Sequence, residues 1–501
     1  MNIKVRFLNI SAEPTALMNA EDAQKIGAKD NDRVRIDGKR SAIALLNVSE
    51  IVGPGEVVLS VCLKGMTGAS DGDELGISYA SSPESVRSIR RKMDGERLSK
   101  EEIRAIVMDI LENRLSKIEI SAWLTALYIN GMDIEEIADF TEAMVDTGDR
   151  VEFSRSPVYD FHSMGGVPGN KVTPIVVAIA AAAGLMLPKT SSRAISSACG
   201  TSDFVETFCD VEMDAETLRR ISEEVGGVLA WGGAMNLAPV DDLVIKVEHP
   251  LGINPRAQML ASILSKKLAI GATHLVVDIP TGAGTKVPTI EVAKAYARDF
   301  MDLGEKLNIH VECAITYADQ PVGSAIGPKL EARECIRILE GCKHPASVIE
   351  KACDIAGMIL EMGGMVNGGE RAREILDSGA AMKKFREMVA AQKGDYDIKA
   401  DDIVPGEFVA EVASVNSGYV HSISNKDLVS IAKAAGAPSD KGAGILLFKK
   451  KGQRVEKGEV LFEIYGDNKA KVERAKELAA KYKPYDIEGM LLKRIAAPRT
   501  R

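Results

Sequence analysis

From Val158 onward the chain repeats one unit: a short apolar run with strand character, a glycine-rich loop, then a helical stretch. VYDFH leads into GGVPGNK and an alanine-rich helix, and GVLAW into GGAMN. HLVVDIP leads into TGAGTK and the helix TIEVAKAYARDFMDLGEKL, and HVECAITYA into GSAIGPK and a helix beginning near Leu330. Strands and helices alternating in this order leave few solutions, chiefly a mostly parallel sheet with helices on its faces. Ligands of such sheets sit beyond the carboxyl ends of the strands. Each glycine-rich loop falls at one of those ends.

The 501 residues are enough for several domains of about 100 to 200 residues each. Residues 1–85 carry short alternating runs (VRFLNI, DRVRIDG, AIALLNV, EVVLSV) broken by Gly, Pro and Asn, which predicts a small β-barrel domain with one helical turn near Glu21 to Ile26. Helical spacing then takes over, with Ser99 and Glu102 set as a capping box. That predicts a helical domain over 86–155, with a later helical segment at about 240–270 packing on it. The central α/β domain is expected over 156–405, and a C-terminal α+β domain over 406–501, where short strands flank the helix NKDLVSIAKAAG. The fold class is therefore multidomain α/β.

Composition removes several functions. A formal net charge of -9 gives no footing for nucleic acid, so any anion must be held by a local cluster against the overall field. The seven cysteines are scattered without a CxxC pair, which fits a reducing cytoplasm and neither a disulfide framework nor a zinc site. MNIKVRFLNI lacks the apolar core of a signal peptide. The apolar stretch Ile175 to Leu187 is shorter than the roughly 20 residues of a membrane span and is expected to be a buried helix. No membrane or nucleic-acid partner is expected. Lys449, Lys450 and Lys451 read as a solvated face that protects a sheet edge.

Three stretches carry candidate chemistry. In DFHSMGGVPGNKVT, Gly165, Gly166 and Gly169 allow close backbone approach, Ser163 and Thr173 add hydroxyls, and Lys171 adds a charge. The stretch matches neither the Walker A nor the GxGxxG pattern, and a tight strand-to-helix turn explains it equally well. His162, at the end of its strand, reads either as a residue bonded to backbone or as a donor beside a leaving group. In KTSSRAISSACGTSDFVE the hydroxyls of Ser191, Ser192, Ser196, Ser197 and Thr201 crowd around Arg193. They serve either to cap a helix at Asp203, through Ser202 or Thr201, or to hold an oxyanion. In LGINPRAQMLASILSKKLAIGATHLVVDIPTGAGTK, Ser262 and Lys266 share a helix face. Lys286 ends a loop after a strand, while Lys266 and Lys267 also suit a helix C-terminus. Together these loops describe a pocket for a phosphorylated small molecule, with no reaction specified.

SSRAISSACGTSDFVE, FHSMGG and LASILSKKLAIGA resemble the signature segments of the thymidine phosphorylase superfamily, the second structural class of nucleoside phosphorylases. The β domain before RKMDG, the GGVPGNK loop and IPTGAGTK make the likeness strongest to its AMP phosphorylase family. The resemblance covers nearly the whole chain. It implies a pentosyltransferase in which inorganic phosphate, a co-substrate, attacks the anomeric carbon of AMP, CMP or UMP. Free base and ribose 1,5-bisphosphate would leave, with no metal or organic cofactor. It implies further that Ser163, Thr173, Ser191 and Thr201 hold the attacking phosphate. Gly166, Ser192, Arg193, Ala194, Ile195, Ser196, Ser197, Thr201, Ser262 and Lys286 would bind AMP, with Arg193 and Lys286 as natural partners of the 5′-phosphate. Relatives in this superfamily are dimers, so a homodimer or larger homo-oligomer is expected.

Two positions depart from the family pattern. Phe161 stands where many relatives carry a lysine, so that either Lys171 supplies the missing charge or the N–H groups of the loop suffice. Asn254 stands where the family carries its proton-donor aspartate, and an amide donates a hydrogen bond but delivers no proton. The expected consequence is slower turnover on purines, a substitute acid such as His162 or His249, or a shift of substrate. Two other readings compete: a pyrimidine nucleoside phosphorylase acting on thymidine or uridine, and a nucleotide-binding homologue with impaired catalysis.

Overall fold

A computed structural model describes residues 1–9, 14–194 and 197–490, so Ile195 and Ser196 of the expected nucleotide site lie outside the described residues. The chain divides into two compact units, residues 1–148 with 238–265, and 149–237 with 266–501.

In the first unit, β1 (Asn2–Leu8), β2 (Thr15–Met18), β3 (Arg33–Asp37), β4 (Ser41–Val48), β5 (Glu56–Ser60) and β6 (Glu74–Ala80) close into a barrel in the order β1-β5-β2-β4-β3-β6. Alternation decides which side chains enter it: Val34, Ile36, Ala42, Ala44 and Leu46 are buried while Arg35 and Asp37 face water. The expected helical turn is the helix Ala20–Lys25, capped by the Asn19 side chain. Helices Ser85–Met93, Lys100–Leu111, Lys117–Asn130 and Ile134–Val145 follow. Three of them open with full capping boxes, Ser99/Glu102, Ser116/Glu119 and Asp133/Glu136. Trp123 and Phe140 meet edge to face at 5.8 Å in their core. The later helix Pro239–Leu251 packs on three of these four helices.

In the second unit, β10 (His274–Thr281) lies between β7 (Tyr159–Ser163) and β11 (His310–Tyr317), all parallel. A second parallel pair joins β8 (Leu187–Ser191) to β9 (Gly227–Trp231). The Tyr159 N–H donates to the Met186 carbonyl (3.0 Å), where β7 and β8 approach. The expected parallel sheet is thus present in two pieces. Helix Thr173–Ala182 is buried on nearly every side, which its all-apolar sequence requires. The apolar stretch 175–187 is not one helix, however. Gly184 (φ +88°) turns the chain, and Leu187 already belongs to β8.

The C-terminal part builds two antiparallel sheets from β12 (Ala325–Ile326), β13 (Phe408–Ala413), β14 (Gly418–Ile423), β15 (Gly444–Leu447), β16 (Arg454–Val455), β17 (Val460–Gly466) and β18 (Tyr485–Glu488). Their orders are β12-β15-β17-β13 and β16-β14-β18. This overturns the reading of GSAIGPK as a pocket loop: Ala325 and Ile326 pair with Leu446 and Ile445, and the backbone of Gly327 packs against Ala443. The lysine run is corrected too. Lys450 Nζ turns inward to the carbonyls of Pro321 (2.5 Å) and Gly323 (2.7 Å), and burial lowers its pKa to about 8.

Candidate active site

Parallel pairing brings the carboxyl ends of β7 and β10 to one level, with Ser163 opposite Asp278. Three residue pairs back from that edge, where Asp160 pairs with Leu275, lies a buried charge cluster. Asp160, fully buried, holds Lys267 Nζ at 2.5 Å, with Lys189 Nζ at 3.5 Å. Lys189 also donates to the Thr190 carbonyl (2.7 Å) and stands 5.2 Å over the Phe161 ring. Burial lowers the Lys189 pKa to about 7, against the pull of Asp160 and with the repulsion of Lys267. His162 is held well below the usual imidazole value, first by burial and then by Lys267, Lys189, Lys266 and Lys286. Four cations converging on one neutral imidazole make a field suited to an anion. With its pKa lowered in this way, the ring favours its neutral form, which offers one N–H as a donor and argues against His162 as a substitute acid.

The loop after β7 is fixed from behind. Ser163 Oγ accepts from Asn170 Nδ2 (2.9 Å), which leaves its own hydrogen to donate outward. Met164 N–H bonds the Asp278 carbonyl (2.9 Å), and the Asp278 carboxylate takes Thr316 Oγ1 (2.5 Å) and Lys351 Nζ (2.8 Å). Gly166 (φ +88°) lies so close to the second loop that a Cβ there would sit 3.0 Å from the Lys286 backbone nitrogen. The two glycine-rich loops therefore touch at Gly166 and Lys286. Thr173 opens the buried helix and brings its unpaired first-turn N–H groups to the loop. Lys171 does not supply the charge missing at Phe161. It is fully buried, with Nζ bonded to Glu334 (2.5 Å) and to the Val322 carbonyl (3.1 Å), where it braces the chain after β11.

The hydroxyl-rich loop folds back on itself: a Cβ on Gly200 would lie 2.7 Å from the Ser192 carbonyl oxygen and 2.6 Å from Ala194 N. Asp203 closes it, accepting from Ala194 N–H (2.7 Å) and Gly200 N–H (2.9 Å). The short helix here runs Thr201–Val205 behind Gly200, so the cap is a carboxylate, and neither Ser202 nor Thr201 caps a helix at Asp203. Arg193 is corrected as well. Its guanidinium grips Glu206 in two bonds (2.8 and 2.6 Å), reaches Glu212 (3.0 Å) and stacks 4.6 Å over Trp231. With its charge already matched, Arg193 braces the loop. Pairing with Arg193 draws the Glu206 pKa down to about 2. Ser191 and Ser197 are half-buried and Ser192 is exposed, each with a short side chain on the wall of this loop.

In the first unit, Asn254 is exposed in the turn between helices Pro239–Leu251 and Arg256–Ala269, and His249 is exposed in the last turn of the former. Ser262, half-buried, donates to Asp241 Oδ2 (2.8 Å), while Gln258 Nε2 donates to Oδ1 (2.9 Å). Lys266 follows one turn on along the same helix and is half-buried; Lys286 is exposed. Residue type alone did not single out Asp160, Lys189, Asp203, Asp241 or Gln258. The one available signal was their placement within or beside apolar runs, where a charge is costly unless paired.

Three segments match known domain families. Residues 86–148 match the helical bundle domain of a glycosyl transferase family, residues 155–382 its a/b domain, and residues 419–486 the pyrimidine nucleoside phosphorylase C-terminal domain. Anthranilate phosphoribosyltransferase from Thermus thermophilus shares the fold, with a TM-score of 0.51 over 61% of this chain and 99% of that one at 22% identity. Fold and site together define a pentosyl-transferring enzyme of the phosphorylase class. AMP phosphorylase from Thermococcus kodakarensis is 48% identical over 500 residues (99% of each chain). AMP phosphorylase 1 from Archaeoglobus fulgidus is 46% identical over 479 (95% of each), and AMP phosphorylase from Pyrococcus abyssi 48% over 497 (98% of this chain, 99% of that one). The chain belongs to the AMP phosphorylase family. Among the described residues no helix is long and apolar enough to cross a membrane.

Proposed function

We propose that the chain phosphorolyses nucleoside 5′-monophosphates, AMP with CMP and UMP, to free base and ribose 1,5-bisphosphate. The observation that carries this reading is the near full-length identity to AMP phosphorylases, in a chain whose parallel strands end in an anion-shaped field around His162. Attacking phosphate is held by Ser163, Thr173, Ser191 and Thr201. Gly166, the loop 192–197, Thr201, Ser262 and Lys286 take the nucleotide, and Lys286 takes its 5′-phosphate. Catalysis is by positioning and charge stabilisation, which call for no organic cofactor or metal. Neutral His162 donates a hydrogen bond toward negative charge that develops in the transition state. Asn254 offers the leaving base an amide hydrogen bond, and proton delivery falls to solvent at this exposed position. A homo-oligomer is part of the proposal.

The test is to incubate the protein with phosphate and, separately, AMP, CMP, UMP, adenosine, uridine and thymidine, and to assay free base. Phosphate-dependent release from the monophosphates alone is expected. Release from uridine or thymidine at comparable rates would overturn the reading in favour of a pyrimidine nucleoside phosphorylase.

A further inference from the structure

The hydrogen-bond polarity at Ser262 is fixed by a residue that the proposed reaction does not use. Asp241 is fully buried in the first turn of helix Pro239–Leu251, and its carboxylate accepts from Gln258 at Oδ1 and from Ser262 at Oδ2. A carboxylate only accepts, so the Ser262 hydrogen points at Asp241 and the hydroxyl shows the outside nothing but lone pairs. Gln258 is oriented by the same charge. Its Nε2 faces Asp241 although this leaves Oε1 buried without a partner, a cost the amide would avoid if Asp241 did not demand a donor. Ser262 and Gln258 are four residues apart on one helix face, and both are turned donor-first to Asp241.

We infer that Asp241 makes Ser262 an acceptor that reads the exocyclic amino group of the base, so that the enzyme prefers amino bases (adenine, cytosine) to their oxo counterparts (hypoxanthine, uracil). This rests on the proposed role of Ser262 in binding the nucleotide and assigns it the base end of that ligand. An amino group donates to the lone pair; an oxo group in its place sets lone pair against lone pair. The pairs AMP/IMP and CMP/UMP share ribose and phosphate and differ only along one base edge, where the amino group becomes oxo and the adjacent ring nitrogen gains a hydrogen, so the ratio separates the base edge from the phosphate contacts. Asp241 is here a positioning residue, acting through Ser262.

The test measures kcat/KM, and separately Kd by calorimetry, for AMP, IMP, CMP and UMP with the wild-type protein, Ser262→Ala and Asp241→Asn. The wild type is expected to favour each amino nucleotide about tenfold, the scale of one hydrogen bond made or opposed. Ser262→Ala brings both ratios near one. Asp241→Asn, nearly isosteric, keeps an acceptor for Gln258 and turns its own amide N–H₂ toward Ser262, freeing the hydroxyl to donate; the ratios then collapse or invert. A merely structural role for Asp241 would weaken all four nucleotides together and leave the ratios standing. Unchanged ratios in both variants, with AMP still cleaved, would overturn this inference while the proposed function holds. If no monophosphate is cleaved, the function fails, and the Kd ratios still decide the inference.

Discussion

Strands β7 and β8 and the helix pair around Asp241 each bury a carboxylate, yet they use it oppositely. Asp160 faces Lys267 and Lys189, and these two lysines together with Lys266 and Lys286 act on His162 as positive charge. Asp241 accepts from the neutral donors Ser262 and Gln258 and orders them both. The first arrangement attracts any small anion and has little power to tell one from another. The second exerts little long-range pull but reads the pattern of donors and acceptors. An enzyme that must hold two phosphates and choose among bases needs both kinds.

The largest test of the contrast is stability. Asp160→Ala leaves Lys267 and Lys189 buried together without their counter-charge, which should destabilise the second unit by about 3–5 kcal/mol, seen as a lower denaturant midpoint. Lys286→Ala, at an exposed site of the same field, should change stability by no more than about 0.5 kcal/mol while weakening AMP binding. If Asp160→Ala unfolds no more easily than wild type, the cluster is not the buried, mutually dependent unit described.

Next in size is Asn254→Asp. Restoring a carboxyl where the amide cannot deliver a proton should raise kcat for AMP by about 100-fold, the lower end of general acid catalysis. KM for phosphate should stay unchanged, since the attacking side of the reaction is elsewhere in the chemistry. Steady-state assay of adenine release checks both; an unchanged kcat would show that proton delivery does not limit the step.

The parallel strands, their loops and the capping box at Ser99 were legible because periodicity and punctuation are local properties of sequence. What was not legible lies in pairings between distant residues. Lys171 follows a glycine-rich loop as a phosphate-binding lysine does, yet Glu334, 163 residues on, claims it. Arg193 sits among hydroxyls as an oxyanion clamp does, yet Glu206, Glu212 and Trp231 enclose its guanidinium. GSAIGPK looks like its fellow loops until β15 pairs with it. In each case residue type stated the capacity, and tertiary pairing decided the use.

Gly166→Ala probes how closely the two glycine-rich loops are matched. The left-handed backbone costs a side chain about 1–2 kcal/mol, and the new Cβ would press on the Lys286 nitrogen at 3.0 Å. AMP binding should weaken about tenfold. Gly165→Ala is the companion: φ is +74° but no atom lies within 4 Å of the added carbon, so it carries the backbone strain without the collision. Calorimetry with AMP should place Gly166→Ala below Gly165→Ala. Equal losses would show that strain alone matters and that the Lys286 contact does not.

The smallest effect expected is a pH dependence confined to the charged side of the comparison. Lys189 has its pKa lowered from 10.5 to about 7, so it is charged below that value and largely neutral above it. A bound anion favours the ammonium form, so binding takes up a proton, and affinity must fall as pH rises through 7. Sulfate is the suitable probe, because its own charge does not change in this range, whereas that of phosphate does. Loss of one unit charge near the anion is worth about 1 kcal/mol even at the dielectric of water, so the sulfate Kd should rise roughly fivefold between pH 6 and pH 8.5. Lys189→Met should flatten that profile at the weaker affinity. The AMP-to-IMP binding ratio should stay level over the same range, because nothing at Ser262 depends on the Lys189 proton. A wild-type sulfate profile that is already flat would mean that Lys189 does not contribute its charge to the anion, leaving the field around His162 to Lys266, Lys267 and Lys286.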